Sequence, residues 1–322
     1  MLRATQVSMH FKERYLITIL MATYNGERFV GAQIESVLKQ TEQNFILQIQ
    51  DDCSTDGTYS IVNEYAARYP EKIKVHTSAE NSGGAKWNFL HMMTTFQDDY
   101  VMLCDQDDIW FPNKIETTLH AMQNMEATHG KQTPTLIHTD LMVVDESLNA
   151  IGDSLNSMLD LRMEKAALSS QLVQNTVTGC TAMYNRALAQ LIRMSNACTV
   201  HDWWLGLIVI CFGKKEYLSE KTMLYRQHDE NSIGAKKVRS ISYIIREALR
   251  PDMIRAQLSA LYQQADEFLQ VYNDRLDAAQ KKLLSDFATI PKHGKLKRWA
   301  ILLRLKTVKS GFARKIAQFL YI

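Results

Sequence analysis

Over the first 120 residues, short β-rich apolar runs alternate with helical patterns, and three of the four runs end in small, polar or acidic residues. This is the tightest constraint on what the chain can fold into. Tyr15-Leu-Ile-Thr-Ile-Leu-Met21 has the composition of a buried strand and stops at Ala22-Thr-Tyr-Asn-Gly26, after which Phe29, Ile34, Val37 and Leu38 recur at helical spacing. A second strand, Phe45 to Gln50, runs into Asp51-Asp-Cys-Ser-Thr-Asp-Gly57, where Ser, Thr and Asp can cap the next helix. Lys74 to Thr77 reads as a third strand, followed by Gly83-Gly84 and a helix through Met93. Asp99 to Cys104 reads as a fourth, ending in Asp105-Gln-Asp-Asp108. Strands alternating with helices predict an α/β fold built on a mostly parallel, doubly wound sheet. Ligands in such sheets sit at the carboxyl ends of the strands, which is where Tyr24-Asn25, Asp51-Asp52 and Asp105 to Asp108 fall.

The chemistry of that edge is narrowed by what it lacks. No Gly-x-Gly-x-x-Gly follows the first strand and no Gly-x-x-x-x-Gly-Lys loop occurs, so dinucleotide and P-loop sites are disfavoured. Carboxylates bind phosphates only through a divalent cation, and Mg²⁺ or Mn²⁺ takes one or two carboxylates plus substrate phosphates. Asp105 and Asp107, two apart on one turn, can aim at the same ion. A solvated acidic turn is the bland alternative; the buried strand before it and Ile-Trp-Phe-Pro after it favour a site.

Three blocks, Ala22-Thr-Tyr-Asn-Gly26, Asp51-Asp-Cys-Ser-Thr-Asp56 and Cys104-Asp-Gln-Asp-Asp-Ile-Trp110, resemble the family 2 glycosyltransferases, which have the GT-A fold. The resemblance continues through His138-Thr-Asp140, Asn175-Thr-Val-Thr-Gly179, His201-Asp-Trp-Trp204 and Tyr225-Arg-Gln-His228, and looks most like bacterial polysaccharide rhamnosyltransferases. It implies a GT-A catalytic domain over residues 15–235, with residues 1–14 as an N-terminal extension and 236–322 as a helical C-terminal region. It also implies that Thr23, Tyr24, Asn25, Asp51, Asp52 and Asp105 hold the nucleotide, with helix capping as the alternative for Asp52 and Asp56. Asn81-Ser-Gly-Gly84 resembles the family's small-residue segment near the nucleotide, or is a simple turn. Asp105, Asp107 and His228 match metal or diphosphate positions.

Asp202 matches the catalytic base, which takes the proton of the acceptor hydroxyl, with helix capping as the alternative. A helix N-terminus lowers a carboxyl pKa and desolvation by neighbouring Trp rings raises it, so its value stays open at this level. The family inverts configuration in one displacement, so a dTDP-β-L-rhamnose donor would give an α-rhamnoside; a UDP-hexose donor is the alternative. Thr178, Gly179 and Cys180 are expected to line the acceptor side with His201, and Trp110, Trp203 and Trp204 to offer ring faces to sugars, or to pack in the core.

Composition bounds the rest. With 37 basic and 35 acidic residues the net charge is +2, which does not suit a nucleic-acid binder. The charge is uneven, since residues 287–322 hold nine Lys or Arg and no Asp or Glu. In that tail Ile301, Leu305, Val308, Phe312, Ile316 and Phe319 fall on one helical stripe, weakened at Gly311. An interfacial helix on an anionic membrane has this design, and a polyprenyl-diphosphate-linked glycan acceptor would give it a purpose. Docking on the catalytic domain, or on a second subunit of a homo-oligomer, is the alternative. The five cysteines form no Cys-x-x-Cys pair and Met1 to Arg14 lacks a signal-peptide core. No apolar run spans a bilayer. The expected location is cytoplasmic, peripheral on the inner face of the membrane.

Two other classes fit the sequence less well. A sugar-1-phosphate nucleotidyltransferase expects a glycine- and arginine-rich first turn, which Ala22-Thr-Tyr-Asn-Gly26 is not. A non-catalytic nucleotide-sugar-binding or scaffold protein has no need of Asp105, Asp107 and Asp202 together.

Overall fold

The structure, a computed structural model, describes residues 15–159, 163, 167–228 and 251–322. The N-terminal extension, the boundary at 235/236 and the first part of the helical pattern expected from residue 241 lie outside the described residues. The strands are β1 Ile17–Thr23, β2 Phe45–Asp51, β3 Ile73–Thr77, β4 Tyr100–Cys104, β5 Ile109–Trp110, β6 Thr135–Val144, β7 Ala150–Gly152, β8 Ala182–Asn185 and β9 Lys214–Arg226. The longer helices are α1 Val30–Leu38, α2 Thr58–Arg68, α3 Ala85–Thr95, α4 Lys114–His129 and α5 His201–Phe212, then α6 Pro251–Val271, α7 Ala278–Ala288, α8 Lys295–Leu305 and α9 Phe312–Tyr321.

All nine strands form one sheet in the order β3-β2-β1-β4-β8-β6-β9-β5, with β7 paired to β6. The first four are parallel, with Thr23 opposite Asp51 and Met21 opposite Cys104. β8 is antiparallel to both β4 and β6, and β9 is parallel to β6. Thus β1, β2, β3, β4, β6 and β9 point one way, and the mostly parallel sheet expected from the sequence is present. This topology gathers distant segments at one edge. The ends of β1, β2, β4 and β9 meet there, as does the start of the reversed β8.

Three local features go beyond the sequence pattern. β6 runs on to Val144, and β9 continues the sheet with 13 residues whose mixed apolar and charged sequence gives no clean alternation. Cys180 sits in a single turn of 3₁₀ helix, Gly179–Thr181, ahead of β8. The tail is two helices, because Lys306 (φ 56°) and Gly311 (φ 80°) take left-handed backbone conformations between α8 and α9.

One face of the sheet packs on α1 and α4. The other packs on α3 and α5, and its core runs on through α6 and α7 to Leu302 and Ile322. Trp204 is the pivot of that second core. Its ring meets Phe268 at 5.1 Å, nearly edge-on, and Tyr272 at 6.1 Å, while its Nε1 donates to Arg193 O at 3.1 Å. Thr199 N and Oγ1 donate to Gln264, and Gln280 Nε2 donates to Cys211 O. The helical C-terminal region is therefore joined to the sheet by buried apolar surface and by polar ties at both ends of α5. Among the described residues no helix is long and apolar enough to cross a membrane.

Replacing Trp204 with Ala should cost about 3–5 kcal/mol in denaturant unfolding. Adding Phe268→Ala should cost less than the sum of the single losses, because the rings share one contact. Additive losses would contradict this packing.

Candidate active site

The loops after β1, β2 and β3 are laced together by two carboxylates. Buried Asp51 accepts from Thr23 Oγ1 at 3.0 Å and from Ser54 N and Oγ at 2.9 and 2.7 Å. Asp52, also buried, accepts from Ser82 N and Oγ at 2.8 and 2.7 Å, which fixes the Asn81-Ser-Gly-Gly84 turn beside it. Each carboxylate thus already holds protein donors, and a pyrimidine N–H would meet only the lone pairs left over. Asp56 lies one residue before the Gly57 N-cap of α2 and accepts from Thr58 N at 2.9 Å and from Thr58 Oγ1. Tyr24 presents an exposed ring whose backbone N–H and C=O are both held by the Gln106 amide. Asn25 turns the chain in a left-handed conformation (φ 46°) and its Oδ1 accepts from Thr55 N.

The turn after β4 concentrates charge. Burial, then the nearby Asp107 and Asp202, push the Asp105 carboxyl up to about 7. Asp108 is fully buried and is pushed well above the usual carboxylate range by burial, then by Asp107 and Asp105; its Oδ2 has no hydrogen-bond partner. Asp107 Oδ2 lies 2.7 Å from His228 Nε2, which extends from the end of β9. Arg226, two residues earlier, is buried against the turn. Its amide donates to Asp108 Oδ1 at 3.2 Å, its Nε donates to Asp107 O at 2.9 Å, and its guanidinium stacks over Phe29. Beneath the turn, Lys114 is fully buried, with its ammonium near the Trp110 ring and its pKa lowered to about 8 by burial.

The turn suits a hard divalent cation. Asp105, Asp107 and His228 offer two oxygen donors and one nitrogen, and Asp108 adds a buried oxygen without a partner. Asp105, Asp108 and Cys180 also cluster, their ligand atoms within 4.8 Å of one another. Burial keeps the Cys180 thiol protonated, its pKa well above normal. A protonated thiol is no ligand for Mg²⁺ or Mn²⁺, and Cys180 belongs behind the acidic turn rather than on an acceptor wall.

Asp202, in the first turn of α5, faces this cluster. Its Oδ1 accepts from Asn175 Nδ2 and its Oδ2 from Gly179 N, both at 2.9 Å. Burial outweighs those bonds and the helix terminus, pushing its carboxyl up to about 6. A Cβ on Gly179 would stand 2.9 Å from His201 Nε2 and 3.3 Å from Asp202 Cβ, so only glycine lets this turn close on the carboxylate. The close approach that Gly179 permits is thus to α5. His201 stacks on Phe89 at 4.3 Å, and burial lowers its imidazole to about 3, leaving it neutral. Thr178 is half-buried, and its carbonyl accepts from Thr181 N and Oγ1.

Of the three tryptophans expected to face sugars, Trp110 and Trp204 are core residues, each at most 2% exposed. Trp203 is half-buried, with its Nε1 donating to Gln171 O at 2.5 Å. The sequence reading gave no role to Asn175, Arg226 or Asp108. The signal for Arg226 was an arginine inside the apolar run Met223-Leu-Tyr-Arg226, where only a buried partner would keep it.

A sequence profile of glycosyl transferase family 2 matches residues 18–192, and the chain belongs to that family. Its architecture is accordingly the GT-A fold with C-terminal helices. The chain is 29% identical over 227 residues to the dTDP-rhamnosyl transferase RfbG of Shigella flexneri, covering 67% of this chain and 74% of that one. It is 36% identical over 110 residues to the UDP-Glc:alpha-D-GlcNAc-diphosphoundecaprenol beta-1,3-glucosyltransferase WfgD of Escherichia coli, covering 34% and 41%. Among solved structures, residues 1–349 of TarS from S. aureus superpose with a TM-score of 0.58 at 16% identity, covering 94% of this chain and 86% of that one.

The acidic turn predicts a specific thermal behaviour. Without added metal, stability should fall as pH rises through about 7, because Asp105 then ionises against Asp107 and Asp202. Mn²⁺ should raise the melting temperature above that pH in the wild type and not in Asp105→Asn. A melting temperature indifferent to both pH and Mn²⁺ would count against the cation site.

Proposed function

We propose that the protein moves L-rhamnose from dTDP-β-L-rhamnose onto a growing cell-surface polysaccharide or lipid-linked oligosaccharide, by direct inversion. The observation that carries this reading is Asp202. It is a buried carboxylate oriented through both oxygens and close enough to Asp105 for each to feel the other's charge. The rhamnosyl donor is supported by the 29% identity to RfbG.

In this scheme Tyr24, Asn25 and the loops laced by Asp51 and Asp52 hold the nucleotide. Asp105, Asp107 and His228 hold Mg²⁺ or Mn²⁺, and a bound cation would neutralise charge on the diphosphate. Asp202 accepts the proton of the acceptor hydroxyl as that oxygen bonds to the anomeric carbon. The carbon–oxygen bond to the diphosphate breaks on the opposite face, and its electron pair leaves with the nucleotide. Asn175 and the Gly179 amide hold the carboxylate for this transfer. Thr178 and Trp203, both half-buried near α5, are the remaining candidates for acceptor contacts, with neutral His201 behind them. A cytoplasmic location against an anionic membrane would bring a polyprenyl-diphosphate-linked acceptor to this edge. A UDP-hexose donor is the second reading, favoured by the local 36% identity to WfgD.

The test is metal-dependent nucleoside diphosphate release from dTDP-rhamnose, UDP-glucose, UDP-galactose and UDP-GlcNAc. Release from dTDP-rhamnose alone is expected; preference for a UDP-sugar would overturn the sugar assignment. Asp202→Asn should lower transfer by about 10²–10⁴-fold with donor affinity unchanged. For the wild type, kcat/KM should fall as pH drops below about 6, where the base becomes protonated. Equal loss of transfer and donor binding in Asp202→Asn would remove Asp202 from the role of base.

A further inference from the structure

Five of the eleven large hydrophobic side chains that stand exposed among the described residues lie between positions 296 and 320. Leu296 and Leu303 project from α8; Phe312, Ile316 and Leu320 form a stripe on α9. The two helices are tied to each other by Trp299, whose Nε1 donates to Phe319 O at 2.8 Å and whose ring meets that of Phe319. Their other sides supply Ile301, Leu302 and Ile322 to the core. The tail therefore does two things at once: it docks on the protein and leaves an apolar surface outside.

Exposed cations surround that surface: Lys292, Lys295, Lys297, Arg304, Lys306 and Lys315. Arg304 pairs with Asp286 at 3.0 Å. A pocket of about 460 Å³ opens between α6 and the α8–α9 pair. Arg255, Lys295 and Arg298 line it on the charged side, Leu258 and Leu320 on the apolar side, and no acidic side chain lines it. Tyr262 also lines it, more than nine-tenths buried, with a hydroxyl that has no hydrogen-bond partner. Leu320 belongs both to the pocket rim and to the exposed stripe, so the pocket adjoins the apolar surface. Arg255 pairs with Asp252 at 3.4 Å, and Arg298 donates through Nε to His293 O and through Nη2 to Pro291 O. Lys295, the remaining guanidinium N–H groups and the Tyr262 hydroxyl suit phosphate oxygens, and the adjoining apolar stripe suits acyl chains.

We propose that α8 and α9 seat the protein on a membrane of anionic phospholipid, with one lipid phosphate held in the pocket by Arg255, Lys295, Arg298 and Tyr262. This deepens the membrane part of the proposed function and does not depend on which sugar is transferred. Deleting residues 292–322 is a poor test, because it strips Ile301, Leu302 and Ile322 from the core. Point substitutions of exposed or pocket-lining residues avoid that.

The full chain would be co-sedimented with phosphatidylcholine vesicles with and without phosphatidylglycerol, while melting temperature and nucleoside diphosphate release are measured on the same samples. The wild type should bind the phosphatidylglycerol vesicles selectively. Arg255→Glu with Lys295→Glu should lower that binding by about tenfold or more. Phe312→Ser with Leu303→Ser should also lower it, with the melting temperature kept in both variants. Wild-type binding by both double variants, or equal binding to the two vesicle types, would overturn the proposal. So would displacement by inorganic phosphate at constant ionic strength, which would assign the pocket to a soluble anion. Loss of donor turnover with vesicle binding intact would instead count against the transferase reading, so the two failures are separable.

Discussion

Mutual repulsion at a desolvated strand edge is the constraint around which this molecule is organised. Asp107 and Asp202 bear on Asp105, Asp107 and Asp105 bear on Asp108, and burial raises the cost of ionising Asp105, Asp108 and Asp202. Much of the surrounding architecture offsets that cost. Arg226 brings a backbone donor to Asp108 and a guanidinium to the Asp107 carbonyl, His228 meets Asp107, and Lys114 adds a buried cation below. Arg226 and His228, at and just beyond the end of β9, are far from the acidic turn in sequence, whereas Lys114 opens α4 directly after it. The sheet order is thus also the solution to an electrostatic problem.

The two halves of the site are built by opposite means. At the ends of β1 and β2, Asp51 and Asp52 use their oxygens to fasten neighbouring loops, so the shape of that edge is set before a ligand arrives. At the start of α5, Asp202 is oriented by Asn175 and the Gly179 amide, yet burial leaves it with an elevated proton affinity.

The half of the fold made of local strand–helix alternation was legible in the sequence, because buried parallel strands are near-continuous apolar runs and their terminal turns are chemically distinct. The acidic turn was legible for the same reason, the helical end of the chain by its helical periodicity, and Asp202 only through the resemblance to the family. β9 was not, since its exposed residues interrupt the apolar pattern, and the 3₁₀ turn at Gly179 was not, since it is set by contact with α5. The tryptophans illustrate the limit most clearly. Trp203 and Trp204 are adjacent in sequence, yet one sits half-buried with its indole on Gln171 and the other is sealed against Phe268. A helix turns its successive residues about 100° apart, and only the position of α6 decides which of them is covered.

The contact between Trp204 and Phe268 links Asp202 to the tail through packed helices. α5 carries the carboxylate, α6 packs on α5, and α8 and α9 close the same core. If those last helices rest on a bilayer, the height of the carboxylate above the lipid headgroups is set by the thickness of this helical stack. The protein would then act as a gauge, admitting the glycan hydroxyl that stands at that height and passing over those nearer to or farther from the membrane.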